Sequence, residues 1–563
     1  MSSISPHMSS STRRKTSTED VELNQEPKKV VYVEDPPTPS RWFTYEFFFY
    51  YICIVVGFYY CLRMAITTSN EFNDGFRHSD GIVQGWFLNR KQDLSDTQYR
   101  VWRENFPLLS IGLLLFVSIS NLIKNTFSDA YKRIIYYNLM SLGFLIYAHG
   151  AAIIIVLSIA MINFGISRVF AKSRALPMVT WTFNLFILWT SYIYDGYKFS
   201  DTVGWLIGQP WANYLDSWQG ILHWQTYFKV SMLRFISYNN DYYWMSIKRP
   251  VVDLKGKNPY FQAQEKHQPP EHYSLLHYLS YSFYIPLYIA GPIASFNAFI
   301  SQIYQPQTTY SLRDLVKGSI KILLVFLGLE IWLHYLYYYS FDRSDIWMTF
   351  KGPEVALTGF LVLNFMYLKF LIIWRVFRLS ALFDGIDTPE NMNRCVNNNY
   401  TFTGFWRSWH GSFNKWTVRY LYIPLGGKKT QYFTIWIIFF FIGLWHDLWW
   451  SWIAWALLNC VFFSIEIGIM FYFYSPKRLA LRKRWYWRFI VAMGGTFNIF
   501  LLMVANLAIL HGFENSKIFI ANAFFHQEGL KSFIIAYCWL FTGIQVMIEI
   551  REGEKRSKEV KPF

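Results

Sequence analysis

The stretch from Asn397 to Trp455, NNNYTFTGFWRSWHGSFNKWTVRYLYIPLGGKKTQYFTIWIIFFFIGLWHDLWWSWIAW, decides the fold of this chain. Its first half mixes basic with aromatic residues, and its second half is a nearly unbroken apolar run that reaches His446 and Asp447. On a helix that begins at Thr434, His446 lies about 18 Å along the axis, inside a hydrocarbon layer about 30 Å thick. An ionisable side chain at that depth is costly unless it is paired or lines a cavity. The pattern therefore predicts a functional site inside a membrane protein.

The composition of the whole chain agrees with this class. Of its 563 residues, 53% are hydrophobic, 21% are aromatic and only 16% are charged, which is too apolar for a soluble protein. The net charge of +16 fits lysines and arginines that flank membrane spans. Because these residues do not form a soluble basic domain, nucleic-acid binding is excluded. The five cysteines are scattered without paired spacing, so we expect neither a disulfide framework nor a metal site.

Apolar segments follow one another along the chain, as in an all-α polytopic membrane fold. We predict about eleven transmembrane helices, together with re-entrant and interfacial helices. The predicted spans are 42–65, 107–123, 134–148, 151–170, 178–194, 316–339, 355–374, 433–445, 452–472, 489–510 and 533–548. The span 433–445 is short for a crossing, so we expect its end at His446 to stop in a cavity and not in lipid.

Three further regions are irregular. Between Asp195 and Pro270, tryptophans alternate with polar residues, which suits amphipathic helices at the membrane interface, although a simple aromatic belt has the same pattern. The segment 281–300 contains two prolines and a nearby glycine, which predicts a broken helix that is covered by protein or lines a cavity. From Arg375 to His410 we expect a re-entrant or interfacial stretch.

Charge divides the chain into three parts. Residues 1–41 contain six basic and six acidic side chains and few aromatic ones, so we expect a disordered polar tail. Residues 42–550 form the predicted membrane domain, and residues 551–563 form a charged tail. The segment 476–488 has six basic residues and no acidic one, which predicts that this loop and the C-terminal tail are cytosolic.

The region from Arg375 to Lys429 carries eight basic residues and three acidic ones. Cations among tryptophans and tyrosines suit phosphate groups and a stacked purine. This region therefore suits an acyl thioester that is carried on a phosphorylated nucleotide. The same cations could instead only extend to lipid headgroups, and their pattern alone leaves both readings open.

Two histidines favour catalysis. His410 lies in the basic and aromatic region, and His446 ends the apolar run 36 residues later. A neutral imidazole in a low-dielectric site can take the proton of a hydroxyl that attacks a thioester. On a helix, Asp447 would point about 100° away from His446, which makes it a poor orienting partner. Trp449 and Trp450 would share the face of His446, and we expect them to wall the pocket.

The remaining histidines and motifs indicate no other chemistry. We expect His149 to be a buried structural residue, and His272 and His277 to lie at the surface. The chain has no Gly-x-Ser-x-Gly motif for an acyl-serine. It also has no His-Glu-x-x-His or paired cysteine motif for a metal. Direct transfer between two bound substrates is the simplest scheme.

Several motifs in combination resemble the membrane-bound O-acyltransferase family. They are FWRSWHGSFNKWTVRYLYIPLGG (405–427), GLWHD (443–447), LRFISYNND (233–241) and IPLYIAGPIASFNAF (285–299). Other stretches are similar to the fungal glycerol-uptake branch of that family, which remodels glycosylphosphatidylinositol (GPI) anchors and is related to Hedgehog acyltransferase. These stretches are QGWFLNRKQDLSDTQYRVWRENFPLLS (84–110), RLSALFDGIDTPENMNRCVNNNY (378–400) and IEIREGEKR (548–556).

The resemblance implies a fold around a central tunnel, with His446 as the catalytic histidine and His410 as the second active-site residue. It implies acyl-CoA as the donor substrate, with no further cofactor. The implied acceptor is a lyso-GPI lipid on a protein, esterified at its vacant glycerol hydroxyl with a long saturated chain. The implied location is the endoplasmic reticulum membrane, with the plasma membrane as a second site. The residues expected to contact the donor are Trp406, Arg407, Asn414, Lys415, Arg419 and Lys428.

Two alternative functions stay open from the residues. The first is an acyltransferase that acts on a free lysophospholipid or on a protein. The second is a glycerol or proton-coupled transporter, which the broken helix and the buried histidines would suit. We find no inverted repeat in the sequence, whereas such repeats are common in secondary transporters.

Overall fold

The computed structural model describes residues 36–71, 81–251, 258–305, 307, 309–344, 346–350, 352–525 and 527–559. These residues are mostly helical, which confirms the predicted all-α class. The predicted disordered tail lies outside the described residues except for 36–41.

The helices follow one another with short connections. Up to residue 305 they are α1 (Tyr45–Glu71), α2 (Thr97–Thr126), α3 (Tyr131–His149), α4 (Ile153–Val169), α5 (Ala175–Ile193), α6 (Phe199–Thr202), α7 (Gly204–Ile207), α8 (Gln209–Ser217), α9 (Trp224–Ser246), α10 (Pro259–Glu265), α11 (Leu275–Ser282), α12 (Ile285–Tyr288) and α13 (Phe296–Tyr304). The later helices are α14 (Leu312–Tyr335), α15 (Tyr338–Arg343), α16 (Gly352–Phe383), α17 (Phe402–Ser408), α18 (Gly411–Thr417), α19 (Gln431–His446), α20 (Trp450–Phe473), α21 (Leu479–Arg482), α22 (Trp487–Ile520) and α23 (Gln527–Glu559). A short antiparallel hairpin of β1 (Ile82–Gln84) and β2 (Lys91–Asp93) precedes α2.

Six helical segments among the described residues are long and apolar enough to cross a membrane. They are α1, α2, α16, α20, Trp487–Ile509 of α22 and Gly529–Ser557 of α23. Each of the eleven predicted spans falls on a helix. Helices α2, α16 and α23 extend well beyond the predicted ends, and polar side chains in the added turns form ion pairs with other parts of the protein. The total of about eleven crossings stays a prediction.

Helix α9 is the main difference from the predicted fold. Interfacial character fits α6 to α8, where Trp205 is 82% exposed, but α9 is buried along most of its length. The buried Arg234 donates from Nη1 to the carbonyl oxygen of Ser282 (2.8 Å). The buried Asp241 accepts the N–H of Asn297 (3.1 Å). The polar side chains that suggested an interface thus form hydrogen bonds within the protein core.

The predicted broken helix is confirmed. Helices α11, α12 and α13 are separated by non-helical residues, and Ser295 caps α13 by accepting the N–H of Ala298 (3.4 Å). The break is covered by protein, since the N–H of Ile293 donates to the Oγ of Ser412 (2.9 Å). The irregular backbone is therefore bonded to the segment that follows His410.

One buried carboxylate ties the β-hairpin to the helices. Glu330 of α14 is 1% exposed. It accepts hydrogen bonds of 2.8–3.1 Å from Trp86, Gln92, Tyr99 and Arg103. Because four side chains converge on it, the carboxylate keeps its charge without contact with water. This set of bonds fixes the start of α2 against α14.

The N-terminal residues, the loop after α20 and the end of α23 lie on one face. Arg488 Nη1 donates to Glu549 Oε2 (3.1 Å), and the N–H of Arg41 donates to Glu549 Oε1 (3.1 Å). The loop 476–488 and the C-terminal end of α23 are thus on the same side, as predicted. Helix α23 continues to Glu559, so the predicted domain boundary at residue 550 is not the end of an element.

Glu330→Ala should destabilise the protein by about 3–5 kcal/mol, because it leaves the Arg103 charge partly buried without its partner. The measurement is the midpoint of thermal unfolding in detergent. Glu104→Ala, which removes an exposed acid one position along α2 from Arg103, is the matched control and should change stability by no more than about 0.5 kcal/mol. Equal midpoints for the two variants would contradict this role of Glu330.

Candidate active site

A cavity of 2880 Å³ runs through the helices and contains both predicted histidines in its lining. One end lies beside residues 482–488 of the basic loop. From there the cavity extends to His410 and His446, with walls from α1, α16, α19, α20, α22 and α23. The two histidines predicted from the sequence therefore share one cavity with the basic loop.

The end of α19 sets the position of His446. The helix stops at this residue, and Asp447 has an extended backbone with φ −167° and ψ 158°. One turn earlier, Gly443 packs against α20, where a Cβ would lie only 3.0 Å from the Cβ of Ala456. This close packing places Trp452 on His446, with ring centroids 4.6 Å apart and ring planes 13° apart. As predicted, the short helix ends in a cavity.

His410 is held in a strained backbone conformation. Its φ of 47° and ψ of 48° lie in the left-handed region, which residues other than glycine rarely adopt. The next two residues hold it there: the N–H of Gly411 donates to the carbonyl of Asn391 (2.7 Å), and Ser412 Oγ donates to Asn391 Oδ1 (2.5 Å). A Cβ at Gly411 would lie 2.8 Å from the backbone carbonyl oxygen of Glu390, which is too close for any residue other than glycine without a shift of the backbone. Strain of this kind clusters at functional sites.

Aromatic rings connect the two histidines. His410 stacks on Trp374 with centroids 4.6 Å apart and planes 10° apart. The ring of Trp445 lies 6.3 Å from the ring of His410 and 4.8 Å from the ring of His446. Burial, and then the nearby His446, lower the pKa of His410 to about 3. The His410 imidazole is therefore neutral at physiological pH.

The ring nitrogens distinguish this half-buried pair from three fully buried histidines of the domain. Within the described part of the chain, no hydrogen bond reaches the ring of His410 or His446. By contrast, both ring nitrogens of His149, His277 and His334 are bonded. The structural role predicted for His149 is confirmed, but the surface position predicted for His277 is wrong, since it is 3% exposed. An imidazole with its nitrogens open to a cavity can exchange a proton with a substrate.

Lys229 of α9 holds the end of α19 and was missed in the sequence. Its Nζ donates to the carbonyl oxygen of His446 (2.5 Å), and its own carbonyl accepts the Nε1–H of Trp445 (2.7 Å). The last carbonyls of a helix lack partners within the helix and carry a partial negative charge, so an ammonium group is favourable there. The isolated lysine in the run WQTYFKVSML (224–233) is the signal that could have identified it.

The residues after His446 differ from the helical extrapolation. Asp447 does not orient the imidazole, as predicted, because its carboxylate accepts the next backbone N–H (2.8 Å). The prediction that Trp449 and Trp450 wall the pocket is wrong, since they are 65% and 72% exposed. The helix ends at His446, so helical spacing no longer applies to them. Trp452 takes that place in the wall.

Four of the six expected donor contacts line the cavity. These are Trp406, Arg407, Asn414 and Lys428. Lys415 and Arg419 are a correction to the sequence prediction, because they are not part of this lining. They lie one helical turn apart and share a face that packs on α9 and α10. Arg419 pairs there with Asp241 (3.2 Å) and Glu265, and Lys415 lies over the ring of Phe261 (5.1 Å).

The lining contains two further cations that the sequence did not identify as donor contacts. Lys483 and Arg484 follow α21 and line the cavity together with Arg407 and Lys428. None of these four forms an ion pair with any residue that the structure describes. Cations that are not neutralised by acidic side chains are suited to phosphate groups.

Part of the cavity lining, here called the apolar arm, consists mainly of apolar residues. It lies between α1, α16 and α23, and its lining includes Ile54, Leu357 and Phe360. Gly57 of α1 lies against Trp539 of α23, since a Cβ at Gly57 would be 2.3 Å from the indole Nε1. Such a lining accepts an alkyl chain and disfavours a charged group.

Sequence comparisons with known proteins give consistent matches. The model of the MBOAT family, the membrane-bound O-acyltransferases, matches residues 197–509. Membrane-bound O-acyltransferase gup1 of Schizosaccharomyces pombe is 34% identical over 540 residues, which are 92% of this chain and 91% of the relative. Membrane-bound O-acyltransferase GUP1 of Saccharomyces cerevisiae is 34% identical over 539 residues, 92% of this chain and 93% of the relative. Protein-cysteine N-palmitoyltransferase HHAT of Mus musculus is 29% identical over 259 residues, 42% of this chain and 50% of the relative.

Lys229→Met should lower kcat by about 10- to 100-fold with little change in KM, because a misplaced catalytic group slows the chemical step. Lys229→Arg keeps a cationic donor and should retain more of the rate. Steady-state kinetics of the purified variants measure both effects. Lys317→Met, which removes an exposed lysine of α14, is the control and should match the wild type. A normal kcat for Lys229→Met would show that Lys229 does not position His446.

Proposed function

The chain belongs to the membrane-bound O-acyltransferase family, and on that premise we propose its specific reaction. It transfers a long-chain fatty acyl group from acyl-CoA to the vacant glycerol hydroxyl of a lyso-GPI anchor. The reaction takes place in the endoplasmic reticulum membrane, with His446 as the general base.

The observation that carries this proposal is the shared cavity. His410 and His446 lie in the same cavity as the unpaired cations Arg407, Lys428, Lys483 and Arg484. Acyl-CoA also combines two kinds of group, since it has phosphates and an adenine at one end and a reactive thioester at the other. The cations suit the phosphates, and the imidazoles suit the thioester.

In the proposed reaction, the hydroxyl oxygen of the acceptor forms a bond to the thioester carbonyl carbon. The His446 imidazole accepts the hydroxyl proton as that bond forms. The tetrahedral intermediate then collapses, the bond from carbon to sulfur breaks, and the CoA sulfur leaves with the proton from the imidazolium. An ester and free CoA result, and no further reactant is needed.

The neighbours of His446 support its role as a base. Trp452 stacks on the ring and Lys229 holds the backbone, so the imidazole has a fixed orientation before substrate binds. The neutral His410 contacts Trp445, which also contacts His446, and in this proposal its imidazole forms a second hydrogen bond to the substrate. The aromatic rings stacked on both imidazoles limit the access of water, which would otherwise compete as the acceptor.

The apolar arm supports a lipid acceptor. A lyso-lipid carries one alkyl chain and one free hydroxyl, and the arm between α1, α16 and α23 has the lining for such a chain. A protein acceptor is the second candidate, since one relative bears the name protein-cysteine N-palmitoyltransferase. Acyl transfer by the purified protein to lyso-GPI, to lysophosphatidylcholine and to a peptide with a free N-terminal cysteine separates these acceptors. Saturable glycerol uptake into proteoliposomes that survives His446→Ala would favour a transporter instead.

His446→Ala should reduce acyl transfer from acyl-CoA to lyso-GPI by at least about 100-fold, because it removes the general base. Transfer of a radiolabelled acyl group by protein in lipid nanodiscs is the measurement. His149→Gln is the control, since His149 is also a histidine of the helical core, but it is bonded at both ring nitrogens and lies outside the cavity lining. It should lower stability and leave kcat per folded molecule unchanged. Full transfer by His446→Ala would refute the assignment.

Lys483→Ala and Arg484→Ala should each raise the KM for acyl-CoA by up to about fivefold, the range of one exposed charge contact. Their kcat should stay near that of the wild type, because both residues are remote from the thioester in this scheme. Lys477→Ala, an exposed lysine of the same loop that is outside the lining, should leave KM unchanged. Equal KM values for all three variants would argue against a donor site at this end of the cavity.

A further inference from the structure

Residues 36–41, with the sequence Pro-Pro-Thr-Pro-Ser-Arg, form a strap at one end of the cavity. Most of the strap lines the cavity, together with the end of α23 and residues 482–485 of the basic loop. Three prolines fix φ in half of the strap, so it loses little conformational entropy when it binds. Because the strap forms part of the lining, its attachment affects how open this end of the cavity is.

Two buried carboxylates of α23 hold the strap. Glu552 Oε2 accepts the N–H of Thr38 (2.7 Å) and the Thr38 hydroxyl (3.2 Å). Glu549 Oε1 accepts the N–H of Arg41 (3.1 Å). Glu549 is 0% and Glu552 is 9% exposed, so these donors replace bonds that water would otherwise supply. The attachment of the strap therefore depends on the hydrogen bonds that Thr38 donates to the Glu552 carboxylate.

Thr38 also has the properties of a modification site. It is exposed, and it directly precedes Pro39, which is the local sequence that proline-directed protein kinases accept. The strap lies on the face of the loop 476–488, because both contact Glu549. The positive charge of that loop assigns this face to the cytosol, where ATP and kinases are present.

We propose that Thr38 is a phosphorylation site and that its phosphorylation detaches the strap from α23. The Thr38 oxygen forms a bond to the γ-phosphorus of ATP, and the bond from that phosphorus to the bridging oxygen breaks. ADP leaves, and the hydroxyl proton passes to the catalytic base of the kinase. The resulting ester oxygen no longer donates to Glu552. The phosphate adds about −1.5 to −2 charges at pH 7 beside the same carboxylate, and like charges repel.

Two of the nearby cations are already engaged by these carboxylates and by the strap. Lys555 Nζ pairs with Glu552 Oε1 (2.8 Å), and Arg556 Nη2 pairs with Glu549 Oε1 (2.8 Å). Arg556 Nη1 also donates to the carbonyl of Thr38 (2.5 Å). A phosphate that draws either cation takes it from a buried carboxylate, which is then less compensated. Thr38 therefore separates from Glu552 whether these cations stay on the carboxylates or move to the phosphate.

Trypsin measures the attachment, because Arg41 is a cleavage site at the end of the strap. The full-length protein in nanodiscs is incubated with ATP and a purified proline-directed kinase, and mass spectrometry maps the phosphates. We expect phosphate on Thr38 and none on Thr388, which also precedes a proline but is 2% exposed. Cleavage between Arg41 and Trp42 should become about tenfold faster or more, the range expected for losing a hydrogen bond to a charged group.

Variants of Thr38 and Glu552 test whether phosphorylation and charge repulsion cause the faster cleavage. Thr38→Val accepts no phosphate, so kinase treatment should leave its cleavage rate unchanged. Thr38→Glu should accelerate cleavage of the otherwise wild-type protein. The same substitution should accelerate cleavage less in the Glu552→Gln variant, because the repelling carboxylate is absent there. The proposal is overturned if Thr38 stays unmodified while a free peptide of residues 33–43 is phosphorylated. It is also overturned if the phosphorylated protein is cleaved after Arg41 at the original rate. Neither readout uses acyl transfer, so the result is independent of the proposed function.

Discussion

The carbonyl end of α19 is the constraint on which the site depends. A helix that stops inside a membrane domain leaves its last carbonyls without partners, and lipid cannot supply donors. The ammonium group of Lys229 satisfies the carbonyl of His446, and the close contact at Gly443 holds the helix against α20. The remaining side of the helix end faces the cavity. A helix that is short for a crossing is therefore what carries an imidazole into the interior.

The polar groups of the domain fall into two classes. Glu330 and Glu466 are each surrounded by donors; Glu466, for example, accepts the N–H groups of Phe402 (2.6 Å) and Thr403 (3.0 Å) at the start of α17. Such fully bonded groups hold helices together and have no capacity left for a substrate. The imidazoles of His410 and His446 are packed by aromatic rings instead. Their ring nitrogens therefore remain available to a substrate.

Much of this arrangement could be predicted from the sequence, because apolar runs specify helices and because His446 ends such a run. The broken helix at 281–300 could be predicted from its prolines. The predictions that were wrong concern residues whose positions depend on tertiary contacts. Trp449 and Trp450 were placed by extending a helix beyond its end, and Arg419 was assigned to the donor although an acidic side chain of α9 neutralises it. The roles of Lys229 and Lys483 depend on elements that are far apart in the chain.

We propose that one cavity holds the phosphates of the donor beside the basic loop and its thioester beside His446. A cryo-electron microscopy structure with a thioether analogue of acyl-CoA tests this most directly. We expect phosphate density next to Lys483 and Arg484, and the carbonyl of the analogue within hydrogen-bonding range of the His446 or His410 ring. Phosphate density on another face of the protein, or an acyl chain that bypasses both histidines, would contradict it.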